Sequence, residues 1–118
     1  MLWGLIARSA TCDAFAEPTT IVGFGGSTTA VRGELKVYCD LLDTGLNRRG
    51  IPVRVINSGV DGDHTQKARE RFESDVLAND PDIVIIQFGI NDSAIDVWKT
   101  PSADQPRVAL ENYEENLR

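Results

Sequence analysis

Cysteine and histidine are almost missing from this sequence, and their scarcity closes off several kinds of chemistry. Two cysteines, Cys12 and Cys39, and a single histidine, His64, stand among 118 residues. That is too few for a disulfide scaffold, and no CxxC pair or His/Cys cluster offers the ligand set of a structural metal. Cys12 and Cys39 therefore read as buried or half-buried thiols, with a disulfide between them as the alternative. Excess positive charge is missing as well. A formal net charge of −6 argues against a nucleic-acid or anionic-membrane surface, since both need clustered Lys and Arg. No apolar run approaches the roughly 20 residues that span a bilayer. Internal repeats and low-complexity tracts are also lacking.

What remains is an ordinary globular composition, 42% hydrophobic and 25% charged, at a length that allows one domain. Residues 1–19 read as an N-terminal extension. Its Met1–Ala7 run is apolar, and Ala14-Phe15-Ala16 resembles a small-x-small cleavage site. Arg8 and Asp13 interrupt the pattern and no basic residue precedes it. A cytoplasmic location is the reading taken, with a secreted or periplasmic one as the alternative.

From residue 20 the pattern becomes regular. Thr20–Phe24 is a short apolar segment running into glycines, as a buried strand does. Over Glu34–Arg49, Leu35, Tyr38, Leu41, Leu42 and Leu46 fall at three- and four-residue spacings, which predicts an amphipathic helix. Gly50 and Pro52 supply its stop. Val53–Asn57 reads as a second strand, Ser58–His64 as a polar loop, and Thr65–Leu77 as a helix with Ala68, Phe72, Val76 and Leu77 on one face. Ile83–Phe88 is a continuous β-branched run, expected to be buried on both faces as in a parallel sheet. Val108–Arg118 looks like the start of a further helix, with Leu110, Tyr113 and Leu117 inward and Glu111, Glu114 and Glu115 solvated. Strands alternating with helices predict an α/β domain over 20–118 with right-handed crossovers. Three strands make a thin sheet, so the domain is expected to be partial, with more of it after Arg118.

In such a sheet the loops leaving the C-terminal strand ends line one edge, where ligands bind. Three loops fall there: Gly25-Gly26-Ser27-Thr28, Asn57–Gly62, and Gly89-Ile90-Asn91-Asp92. Each joins glycine to a hydrogen-bonding side chain. A phosphate loop needs GxxxxGK[ST], and no lysine follows these glycines. A dinucleotide fingerprint starting at Gly23 would need glycine where Thr28 stands, and Asn57 rather than an acid ends the second strand. A nucleophile fits better. The glycines let the chain turn off a strand and leave the Ser27 hydroxyl at the sheet edge. Gly62 offers an unobstructed N–H and Asn91 an amide N–H, the makings of an oxyanion hole. Bland readings stand beside these: Ser27 and Gly62 as turn residues, Asn91 as an Asx-turn former, Trp3 and Trp98 as packing groups. Asn91-Asp92-Ser93 is also a glycosylation sequon, at a packed strand end that disfavours modification.

The three blocks, Gly25–Thr29, Asn57–Thr65 and Pro81–Asp92, resemble in order and spacing those of the SGNH (GDSL) hydrolases, serine esterases and lipases. The Asn-Asp behind a hydrophobic strand and a Gly-x turn is the most specific part, and the match runs from about Ile21 to Arg118. The resemblance implies a flavodoxin-like three-layer α/β/α sandwich. It implies hydrolysis of small-molecule carboxylic esters or thioesters, with no metal and no cofactor. It names Ser27 as nucleophile, with Gly62 and Asn91 as oxyanion donors. Asp92 is better suited to bracing its loop than to touching substrate.

Two departures matter. Gly26 stands where the family usually has aspartate. The family's Asp-x-x-His block, which holds the base, has no counterpart here, since no histidine follows Asn91. A serine hydroxyl is a poor nucleophile without a base. His64 is the remaining candidate, with Asp61 and Asp63 near it, but it suits a loop or helix start better. The chain as given is expected to turn over weakly or not at all. Two other readings stay open: a non-catalytic module binding an acyl or sugar group, and a flavodoxin-like phosphate or nucleotide binder.

Overall fold

The computed structural model describes residues 17–118. The leader-like segment, Trp3 and Cys12 lie outside them. In chain order the elements are β1 (Thr19–Gly25), α1 (Tyr38–Arg48), β2 (Val53–Gly59), α2 (Thr65–Asp75), β3 (Ile83–Gln87), the short α3 (Ile90–Ser93) and α4 (Leu110–Asn116). A single 3-10 turn, Leu77–Asn79, follows α2. The strands form one parallel sheet in the order β2-β1-β3.

That order explains the layers. From β1 the chain crosses one way to β2, then back past β1 to β3. Right-handed crossovers in opposite directions put their helices on opposite faces. The side chains agree, because neighbours along a strand point to opposite faces. Val22 and Phe24 of β1 are buried in a cluster with Ala68 and Val76, supported by Ile56, Val84 and Phe88. Phe24 meets Phe72 and Phe88 edge-on, at 5.8 and 5.2 Å between centroids. Gly23, between them, faces the other way: a Cβ there would meet Cys39 Sγ and the Tyr38 hydroxyl of α1. The sandwich is therefore α1, sheet, α2. Burial pushes the Cys39 thiol and the Tyr38 phenol up, so both stay protonated in this layer.

The elements depart from the sequence pattern in several places, and Leu77 and Leu110, expected on inner helix faces, are 57% and 75% exposed. Helix α1 starts at Tyr38, not Glu34; residues 32–35 instead close a small antiparallel bridge between Arg32 and Leu35. Asp40 then accepts the Val37 N–H at 3.3 Å and starts the helix. Leu35 and Leu41, expected in its inner stripe, are each 60% exposed. Strand β2 runs on through Ser58 and Gly59, since both pair with β1. Asn91 and Asp92, expected in a loop, sit in the turn of helix α3.

The largest departure is in β3. Strand β3 is not buried on both faces: Ile83 is 48% and Ile86 53% exposed. The cause is its place in the sheet. Among the described strands β3 pairs with β1 alone, so it is an edge, and its apolar run has neighbours on one side only.

Candidate active site

The sheet order reverses between β1 and β3, and the crevice outside that switch point is where open α/β sheets bind ligands. A small cleft of about 40 Å³ opens there. Gly26, Ser27 and Thr28 line it from the β1 loop, Asp63 from the β2 loop, and Gln87 through Asn91 from the β3 end. Ser27 and Asn91 are thus brought together. Gly62 does not line the cleft itself, but its neighbour Asp63 does.

Local hydrogen bonds shape the loop after β1. The Gly26 N–H donates to Gln87 O at 3.3 Å, fastening the loop to β3. Gly26 O accepts from both Thr29 N–H and Ala30 N–H at 3.0 Å, which bends the chain tightly around Ser27. Arg32 Nε donates to Ser27 O at 2.8 Å. Among the described residues, neither the Ser27 N–H nor its hydroxyl has a protein partner. Gly26 is tightly placed. A Cβ there would lie 3.1 Å from Asp63 O and 3.2 Å from Asn91 Nδ2, so the β1 loop can press against both other loops.

The remaining loops are tied together in turn. Gly62 adopts φ +76°, a left-handed conformation that costs an L side chain about 1–2 kcal/mol. Asn91 Nδ2 donates to Asp63 O at 2.8 Å, and its second N–H has no protein partner among the described residues. Arg107 Nη1 lies 3.4 Å from Asn91 Oδ1, so both ends of the amide are oriented. Asp92 is 2% exposed and braces α3. Its Oδ1 accepts from Thr65 N–H at 2.8 Å and from the Thr65 hydroxyl, while Oδ2 accepts from Gly89 N–H at 3.1 Å.

His64 goes elsewhere. It precedes the first turn of α2 and lines a separate groove with Lys67, Asp96 and Arg107. Its Nδ1 is buried without a partner among the described residues. Asp63, a possible orienter for it, instead takes Arg71 Nε at 2.6 Å. No imidazole faces Ser27 among the described residues. The described residues also hold no cluster of three or more His, Cys, Asp or Glu able to take a metal ion.

Arg71 is the site residue that the pattern of motifs did not reveal. Besides Asp63 it reaches Ser58 O at 2.8 Å, Asp75 at 2.9 Å and Gly25 O at 3.1 Å, with its guanidinium 4.6 Å from the Phe24 ring centre. One planar fork thus joins the ends of β1 and β2 to the Asp63 turn. Its hydrogen bonds hold the Asp75 carboxyl below the usual carboxylate range. A signal was present: Arg71 lies three residues after Ala68, on the inward face of α2, where a lone cation needs partners. Asn57 is similar, donating to Thr29 O at 2.7 Å while accepting from Gly59 N–H at 2.9 Å.

Known proteins with this arrangement place the chain. The model of the GDSL-like lipase/acylhydrolase family matches residues 23–118. The acetylxylan esterase of Geobacillus stearothermophilus is 39% identical over 69 residues, covering 56% of this chain and 30% of that protein. The crystal structure of a lipase/acylhydrolase from Enterococcus faecalis superposes with a TM-score of 0.69 at 33% identity, over 84% of this chain and 48% of that one. A catalytic mutant of an acetylxylan esterase from Geobacillus stearothermophilus gives 0.70 at 28% identity, over 84% and 51%. The chain therefore spans about half the length of the solved structures it matches, or less of the curated relative. The matching family model, together with the parallel α/β architecture common to the solved structures, makes this chain a member of the GDSL-like lipase/acylhydrolase family.

Proposed function

We propose that the chain carries the nucleophile and oxyanion half of a serine esterase. Ser27 Oγ attacks the ester carbonyl, and the developing oxyanion rests on Ser27 N–H, Gly62 N–H and the free Asn91 amide proton. The observation that carries this reading is the shared cleft: Ser27 and Asn91 line it together, and the Ser27 backbone N–H is unpartnered among the described residues. Preorganised donors of this kind are worth about 10²–10³ in rate each.

Cleft size favours a small acyl group. One water needs about 10–15 Å³ of such volume, so about 40 Å³ holds roughly three heavy atoms, the size of an acetyl group. Short-chain esters or acetylated carbohydrate follow as substrates, in keeping with the acetylxylan esterases among the relatives. With no imidazole beside Ser27 the proton has no efficient acceptor, so turnover by residues 1–118 alone is expected to be weak.

A serine-directed fluorophosphonate tests the assignment. Slow labelling at Ser27 is expected, falling to background in Ser27→Ala and by about 10²-fold in Asn91→Ala. Equal labelling of Ser27→Ala would overturn the reading. The placement of His64 away from Ser27 favours one rival, a module that binds an acyl or sugar group without cleaving it. In that case ligand binding would persist in Ser27→Ala and no labelling would occur.

A further inference from the structure

Beside the acyl cleft lies a second, larger concavity of about 480 Å³, within the size range of small-molecule sites. Its lining includes His64, Lys67, Asp96, Trp98, Lys99 and Arg107. We infer that this groove receives the alcohol part of the ester, and that it selects an alcohol carrying a carboxylate. The inference rests on the esterase reading of Ser27 and adds the leaving-group side of the same site.

Position is the first argument. Arg107 reaches from the groove to Asn91 Oδ1, and His64 follows Asp63 directly, so the two concavities share a wall. An ester whose acyl group fills the small cleft must send its alcohol outward from Ser27. The groove is one of three larger concavities around the cleft; the other two, which meet the cleft at Phe88 and Gly89, are lined mostly by apolar side chains and suit a polar alcohol less well.

Charge is the second. The chain carries a formal net charge of −6, yet the groove gathers Lys67, Lys99 and Arg107 against one carboxylate, Asp96. Asp96 is 5% exposed and pairs with both Lys99 and Arg107, which fixes their charged ends in place. One carboxylate serves two cations there, and Lys67 makes no ion pair among the described residues. A local excess of positive charge attracts an anion, and Lys67 is the cation placed to meet its carboxylate, because the Arg107 guanidinium is engaged by Asp96 and Asn91. Trp98, 72% exposed, adds a flat ring of the kind that sugar rings lie against, with Lys99 Nζ 5.5 Å from its centre.

The test is a titration of the 118-residue chain, observed by ¹⁵N amide and indole shifts, with sodium glucuronate, glucose and sodium acetate in separate arms. Glucuronate should perturb Lys67, Trp98 and Lys99 and bind at least about tenfold more tightly than glucose or acetate. Lys67→Glu, an exposed change, should weaken glucuronate about tenfold while leaving glucose unaffected, and added salt should weaken it further. Similar affinity for glucuronate and glucose, perturbations away from the groove, or an unaffected Lys67→Glu protein would overturn the inference. Phosphonate labelling of the same samples separates the two readings. Ser27 labelled with no glucuronate response removes the groove alone. A glucuronate response without Ser27 labelling removes the esterase reading and with it the alcohol assignment.

Discussion

Replacing Arg71 with methionine keeps most of the side-chain volume beside Phe24 and removes only the guanidinium. Asp63, 5% exposed, then loses its charged partner at 2.6 Å, and Gly25 O and Ser58 O lose donors at 3.1 and 2.8 Å. A hydrogen bond to a charged group contributes about 1.5–3 kcal/mol and a neutral one about 1 kcal/mol. The gross loss, one charged bond and two to carbonyls, is thus about 3.5–5 kcal/mol. The Arg71 side chain is 16% exposed, so water reaches part of the vacated space and brings the expected figure to about 3 kcal/mol. Urea unfolding followed by circular dichroism measures it, and a cycle with Asp63→Asn isolates the pair. The double variant should be less damaged than the sum of the singles by at least about 1.5 kcal/mol, because neither then strands a buried charge. A loss for Arg71→Met below about 1 kcal/mol, or an additive cycle, would refute the idea that Arg71 bonds the loop ends together.

Two further outcomes follow from the same loops. The hydrogen bonds from Arg107 and Lys99 pull the Asp96 carboxyl from 3.8 down to about 2. A depressed folded value means that its ion pairs add stability above about 4, and that this is lost as pH falls toward 2. The carboxyl ¹³C shift of Asp96 should titrate near 2, moving back toward 3.8 in Arg107→Ala; an unchanged midpoint would contradict the pairing. Gly62→Ala, which forces a Cβ into φ +76°, should cost about 1 kcal/mol in urea unfolding despite the open space around it. An unchanged midpoint there would mean that the turn relaxes freely.

Much of this protein is legible in order along the chain, because local rules govern it. The apolar run ending at Gly25, the helical spacing of Ala68 and Val76, and the β-branched run at Ile83 each follow from side-chain period and turn chemistry. They predict the α/β sandwich, and their loops name Ser27 and Asn91, which the structure brings into one cleft. What the pattern misjudged depends on which element ends up beside which. Ile83 and Ile86 have the composition of an inner strand, but among the described strands β3 has one neighbour, so burial was decided by the sheet's extent. Leu35 has helical spacing, yet a bridge to Arg32 claims it before α1 begins. His64 lies in the right loop, but the start of α2 carries its ring toward Lys67 and Asp96. Arg71 looks like one more surface cation until the fold brings Gly25, Ser58 and Asp63 around it. Sequence by itself determined most of the elements, their order and the glycine-serine loop after β1, since those depend on residues within a few positions of each other. Only tertiary structure decided the partners of Arg71, the groove of His64 and the exposure of β3. Each of these depends on hydrogen bonds and burial between residues far apart in the chain, which no local period encodes.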